Sequence, residues 1–417
     1  MMETRANYKI LFAMALMYFV SIYISDTLPG GQLLTLFPVG AMLVIAIMQN
    51  KGKIRINAAG YFLYIITFLA FCALSRLWAE NPNLAVSKIN SLIFVLLAMI
   101  AFGVSVYGME DVDFFLKVIM YGGYIVCVYM FARYGWGGIA RLVANSTRMD
   151  NELLNANTLG MCAAYALVID LHYVIYDRWK PHNVLMIPAL TILAASGSRK
   201  AIVVLIIGAF GVYVLKNTDN KNILKNIGRF LLILIVAIGL IFLLSRLPVF
   251  STTRQRMLNL ISLLMGNETR SSSDAWIRLA YVRLGMQLFR EHPILGIGIA
   301  NANIYTSSYY GHNHYLHNNY VELLACGGIV GFLIYYSVWA WLLVTFIKCR
   351  KQRSREYDIC LVLLLIHIAM DYGAVSYYSK ETFVFLLLFW MEAKNLLQER
   401  NSGISETVLA SNSALKG

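Results

Sequence analysis

The chain has 417 residues, of which 59% are hydrophobic and only 14% charged, and its mean hydropathy is +0.63. A chain this apolar cannot cover itself with a polar surface, which excludes a water-soluble globule and points to a polytopic membrane protein. The formal net charge of +13 would suggest nucleic acid in a soluble domain. Here the cations fall between apolar runs, where cytoplasmic loops need them, so no nucleic-acid partner is expected.

Stretches of roughly 17 to 25 mostly apolar residues mark membrane spans. They fall near residues 8–25, 30–49, 59–77, 87–107, 114–134 and 157–176. Six more lie near 183–197, 200–215, 229–247, 318–347, 358–377 and 381–397, the seventh and eighth being short and separated by a tight break. The expected fold class is all-α, a polytopic membrane protein of about twelve transmembrane helices. It forms one membrane domain over 1–400, followed by a polar tail, 401–417, too poor in apolar residues to order itself. No internal repeat is evident.

If Arg5 and Lys9 lie inside, the connections with Lys51/Lys53/Arg55, Arg178/Lys180, Lys216/Lys221/Lys225/Arg229 and Lys348/Arg350/Lys351/Arg353/Arg355 all fall inside too. The positive-inside rule is met, and both termini are cytoplasmic. The first apolar run lacks a small-residue cleavage pattern and is long enough to remain a span. The six cysteines lie in spans or on the inner side, so an external disulfide framework is not expected.

This topology puts residues 248–317, the longest connection, outside between spans nine and ten as a helical loop, and long loops of this kind are usually functional. The loop carries Arg254, Arg256, Arg270, Arg278, Arg283 and Arg290 but no lysine. Arginine's planar fork matches phosphate with two parallel hydrogen bonds, although any one of these arginines can equally solvate the loop or touch lipid head groups. At about 100° per residue, the segment from Trp276 to Arg290 puts Ile277, Tyr281, Leu284 and Leu288 on one face. Arg278 falls at the edge of that face and Arg283 and Arg290 opposite it, so Arg278 is the arginine aimed inward. His292-Pro293 ends this helix, because the residue before proline is pushed out of helical geometry. A second basic candidate is Arg199 in Ala195-Ser-Gly-Ser-Arg-Lys200, at the outer break between spans seven and eight. A snorkelling anchor is the plainer reading of it.

His312, His314 and His317 place three of the seven histidines in one short stretch before the tenth span. With Glu322 they offer a His-x-His pattern that zinc uses, but no nearby carboxylate and cysteine set completes it. A histidine near neutrality also serves as a general base toward a hydroxyl, and interfacial hydrogen bonding accounts for one or two of the three. Asp111-Val112-Asp113 has the Asp-x-Asp form of nucleotide-sugar transferases but lies inside, away from the other candidates, and reads as a loop cap. Asp170/His172 and His367/Asp371 are ionisable groups in or near spans. The last two, four apart on one face, can pair with each other, a structural reading set slightly ahead of a catalytic one.

Together these pieces resemble the O-antigen ligase and O-antigen polymerase family. His317-Asn318, then Gly328 after nine residues and Gly331 after two more, is similar to the family's histidine motif. Upstream, Arg278, the helix after it and Pro293-Ile-Leu-Gly296-Ile-Gly298 resemble its Arg, helix, Pro-x-x-Gly-x-Gly run. Ser198-Arg199 resembles its Ser-Arg, and Arg148 with Asn155-Ala-Asn157-Thr-Leu-Gly160 its Asn-x-Asn-x-x-Gly segment. The resemblance covers about residues 145–345. Lys200 and Cys326 depart from it, the latter standing where members often carry a glutamate, with Glu322 one turn earlier.

The resemblance implies a glycosyltransferase at the outer face of the cytoplasmic membrane, with 248–317 as its catalytic loop. Its donor would be an oligosaccharide on a polyprenyl diphosphate, its acceptor a glycan hydroxyl, and its surroundings membrane lipids and other polysaccharide-assembly proteins. His317, Arg278 and Arg199 would be catalytic, with His312, His314, Asn318, Tyr320, Glu322 and Arg148 contacting substrate. No metal or other cofactor is expected, arginine charge replacing it. Polymerisation of surface-polysaccharide repeat units is expected, with ligation of finished glycan to a lipid or protein as the alternative. A glycan-lipid transporter would call for repeated halves.

Overall fold

The computed structural model describes residues 2–25, 31–49, 58–105, 112–144, 155–217, 228, 232, 274–311 and 313–414. All regular secondary structure among them is helical. The ninth span, the loop as far as residue 273, the lysine-bearing connections at 51–55 and 221–229, Arg148 and His312 lie outside the described residues. Among the described residues five helices are long and apolar enough to cross a membrane: Ala59–Leu77, Leu84–Val104, Val112–Ile139, Ala156–Tyr176 and Asn319–Lys348. Shorter apolar helices cover Tyr8–Ile24, Leu34–Met48 and Pro181–Ser196. The chain is an integral membrane protein. Its contacts divide the expected single domain into two compact units, Met1–Pro38 with Asp113–Arg270, and Val39–Val112 with Ser271–Gly417.

The first unit contains α1 (Met2–Ile24), the start of α2 (Gly31–Gln49), α5 (Val112–Ala144), α6 (Ala156–Tyr176), α7 (Met186–Ser196) and α8 (Arg199–Lys216). Gly135 breaks α5 with φ 61° and ψ 169°, a region essentially reserved for glycine. Helix α6 starts at Asn155, whose side chain accepts from Asn157 N, and packs on α7 and α8. At Gly160 a Cβ would lie 2.6 Å from Ser196 Oγ and 2.9 Å from Ser198 Cβ. The glycine of the Asn-x-Asn-x-x-Gly segment therefore exists for close packing on the Ser-Arg break. Asp113 is bonded by the Tyr173 hydroxyl and paired with Lys117, a structural role that suits the loop-cap reading. Buried Asp170 accepts from the Tyr124 hydroxyl and the Asn183 amide.

The second unit contains α3 (Ala59–Leu74, followed by a 3-10 turn), α4 (Leu84–Ser105), α9 (Asp274–Glu291), α10 (Ala302–Tyr310), α11 (Asn319–Lys348), α12 (Arg355–Met370) and α13 (Lys380–Ala414). One expectation is corrected here: the span drawn over 358–377 stops at Met370, and the next residues form a polar connection held by α11.

Candidate functional site

The site is built on a break in α11. Gly328, at φ 59° and ψ −165°, interrupts the helix, so the N–H groups of Ile329 and Val330 lose the carbonyls of Ala325 and Cys326. Residues 293–298 replace both sides of that exchange. Ile297 N and Gly298 N donate to Ala325 O and Cys326 O, each at 3.0 Å, while Ile329 N and Val330 N donate to Pro293 O and Ile294 O at 2.9 and 3.2 Å. Every backbone group freed by the break is satisfied, as burial demands. The Pro-x-x-Gly-x-Gly run and Gly328 are thus one interlocked unit, with Gly296 at φ 68° approaching the backbone of Gly327.

The connection after α3 joins this end. Ile299 N donates to Ser75 Oγ at 3.2 Å, Asn81 N donates to Asn301 Oδ1 at 2.8 Å, and Trp78 Nε1 donates to Leu295 O at 3.2 Å. The short α10, which the sequence did not announce, leads to Gly311. Thr306 Oγ1 donates to His314 O at 2.6 Å and accepts from His314 N, fixing the start of the histidine segment.

His317 itself has φ 56°, a left-handed conformation uncommon for a residue with a Cβ and often found at functional sites. Its neighbours impose it. Glu322, buried one turn into α11, accepts from Leu316 N at 2.7 Å through Oε2, and its Oε1 lies 3.9 Å from Cys326 Sγ. Asn318 caps α11 by accepting from Val321 N at 3.1 Å. Asn319 anchors the 371–377 connection: its Oδ1 accepts from Ser376 N and Tyr377 N, and its Nδ2 donates to Tyr336 Oη and Asp371 Oδ2.

Around the imidazole lie Tyr315, with ring centroids 4.3 Å apart, His314 at 6.1 Å, and Tyr281, stacked at 6.0 Å and 10°. Tyr281, Leu284 and Leu288 are buried as helical phase requires, and Arg283 and Arg290 are exposed. Ile277 is the exception, 46% exposed, because it sits in the first turn of α9, short of the packing against α11. Arg278 is half-buried and acts on Tyr315. The Tyr315 hydroxyl is raised above its usual value first by withdrawal from water, with Arg278 opposing and Glu322 adding to the rise. Arg278, Tyr315, His317 and His314 therefore share one place, where a hydroxyl proton and an anion can be handled together.

Not every expected site residue faces that place. Asn318, Tyr320 and Glu322, expected as substrate contacts, are engaged by the protein: Asn318 as a cap, Glu322 under Leu316, and Tyr320 through its hydroxyl to Ile368 O at 2.6 Å. The Asp371 carboxylate accepts from Tyr336, Ser376 and Asn319, and His367 Nδ1 lies 2.9 Å from Leu363 O, in place of an Asp371–His367 pair. Asp371 is out of the pairing because it lies just past the end of α12, in the connection that α11 holds. Arg199 belongs to the first unit. It is exposed in the first turn of α8, which Ser198 caps through Ala201 N. A cation there opposes the helix dipole, so its position does not serve helix stability. Among the described residues no three His, Cys, Asp or Glu side chains are arranged to hold a metal ion.

Sequence reading missed Asn319 and the 371–377 connection, and Asn319 left no signal beyond the polarity of the cluster.

These helices and this cluster define an integral membrane protein whose polar chemistry gathers at the broken helix of one unit. The O-antigen ligase family model matches residues 184–336, a stretch that holds Ser198-Arg199, Arg278, the Pro-x-x-Gly-x-Gly run, His317 and Gly328, so this part of the chain is similar to that family. No curated protein matches the chain. Similarity to that family points to glycan transfer of glycosyltransferase type, with a lipid-linked glycan and an acceptor as the general substrate classes.

Proposed function

We propose that this protein moves a glycan from a polyprenyl diphosphate to an acceptor sugar hydroxyl at the outer face of the cytoplasmic membrane, with inversion and without a metal. His317 takes the proton of the acceptor hydroxyl, whose oxygen attacks the anomeric carbon from the face opposite the carrier. The anomeric C–O bond breaks, and its electron pair leaves on the diphosphate. Arg278 stabilises that charge with its planar fork, and Arg199 is assigned the same role on its Ser-Arg motif. The observation that carries the reading is His317 in a left-handed turn held by Glu322, with Arg278 acting on the adjacent Tyr315. About twelve spans with both termini inside complete it. In support, the ends that this alternation puts outside are bonded within the second unit, Ser75 and Asn81 to Ile299 and Asn301, and Asn319 at the start of α11 to Ser376.

Polymerisation of repeat units is the proposed outcome. The ligase description of the matched family favours the second reading, transfer of finished glycan to a lipid or protein. Purified protein given a polyprenyl-diphosphate repeat unit in EDTA is expected to form ladders from donor alone if it polymerises, and a single product on added acceptor if it ligates. Loss of all product on chelation would sink the metal-free chemistry.

Arg278→Lys exchanges a bidentate fork for a point charge and is expected to lower kcat/KM by about 10- to 100-fold; full activity in steady-state assays would remove the diphosphate role. Glu322→Ala leaves the buried Leu316 N–H without its acceptor, a loss of about 1–3 kcal/mol. The freed turn should lower kcat while donor KM stays near that of the wild type, with Glu322→Gln restoring most of it. A KM-only effect would show that Glu322 does not position His317.

A further inference from the structure

Lys88, near the start of α4, is half-buried. A lysine at a helix end ordinarily runs its ammonium out to the head groups, but that of Lys88 lies over the Tyr378 ring, 3.6 Å from the centroid. It interacts electrostatically with Glu322, the carboxylate that holds Leu316 beside His317. Tyr378 in turn feels Tyr315, the ring next to His317 on which Arg278 acts. Lys88 thus joins the histidine site from the side of the 371–377 connection, whereas Arg278 joins it from α9. Among the described residues its ammonium makes no hydrogen bond and no ion pair within 4.0 Å, so its three N–H donors remain for a ligand. The ring face keeps the cation in place without using any of those donors.

Resting on the glycan-transfer reading, we propose that Lys88 is a further substrate-contacting cation of this site, binding a phosphate oxyanion carried by a lipid. Tyr378 positions it. A strongly hydrated ammonium with free donors suits a phosphate oxygen as a point charge, beside the fork of Arg278.

The test uses the full chain in phosphatidylcholine nanodiscs, with glycan-free polyprenyl diphosphate as one probe and added phosphatidylglycerol as the other. Acetylation of Lys88 by an amine-reactive reagent, read by mass spectrometry on the wild-type protein, should fall about fivefold when the oxyanion binds. Lys88→Gln should weaken binding of the same probe by about 10- to 100-fold, with Lys88→Arg recovering part of it. Protection by polyprenyl diphosphate identifies the donor's diphosphate as the source. Protection by phosphatidylglycerol alone identifies a head group and still supports a phosphate site. No protection by either probe overturns the proposal. So does a Lys88→Gln variant that binds normally but turns over slowly, since Lys88 would then act through Glu322. Wild-type protein that does not bind polyprenyl diphosphate at all would instead count against the glycan-transfer reading, and the phosphatidylglycerol arm would still decide Lys88.

Discussion

Replacing His317 with alanine is expected to lower kcat by about 10²- to 10⁴-fold, the usual contribution of a positioned general base, while leaving donor KM nearly unchanged. In the proposed mechanism the imidazole meets the acceptor hydroxyl and the donor's charge falls to arginine, so the loss would belong to the transition state and not to donor binding. The neighbouring histidines provide the control. His314 is exposed, with its ring 6.1 Å from that of His317, and its backbone is fixed by Thr306 whatever side chain it carries. His314→Ala is expected to cost far less turnover. Steady-state assays that varied donor and acceptor separately would decide this: equal losses for the two variants would mean that His317 is not the base.

Gly328→Ala is expected to be the most damaging small substitution to the fold. At φ 59° and ψ −165° the residue occupies a region that side chains avoid, at a penalty on the order of 1–3 kcal/mol. A Cβ would also lie 2.3 Å from Ile294 O and 2.7 Å from Gly296 N. Those atoms are backbone and cannot swing aside. The 293–298 run would have to lift, breaking the exchange with α11 at about 0.5–1.5 kcal/mol per hydrogen bond. Gly331 is the milder comparison, because its Cβ would meet the Phe71 ring at 2.5 Å, a side chain that can yield. Thermal unfolding of the two purified variants should therefore rank Gly328→Ala well below Gly331→Ala. A Gly328→Ala protein as stable as wild type would show that the interlock is not what holds the break.

Composition and hydropathy by themselves determined the class, an all-helical membrane protein, and the placing of most described helices, because lipid leaves a helix as the one economical way to satisfy a spanning backbone. Local rules went further. Pro293 ended α9, and helical phase put Arg278 at the edge of a buried face. The motifs around Arg278, His317 and Gly328 were also legible, and they carried the resemblance to the O-antigen ligase family.

Tertiary structure decided what those residues do. Sequence spacing could not show that Gly328 and Gly296 answer each other across an opened helix, since hydrogen bonds between segments some thirty residues apart leave no local pattern. For the same reason the partners that Glu322, Asn318 and Tyr320 take at Leu316, Val321 and Ile368 left no pattern in the sequence. The Lys88–Tyr378 contact and the hold of Asn319 on the 371–377 connection likewise join residues distant in sequence. A side chain's chemistry is written in its own letter, but its partner is set by packing, and packing is non-local.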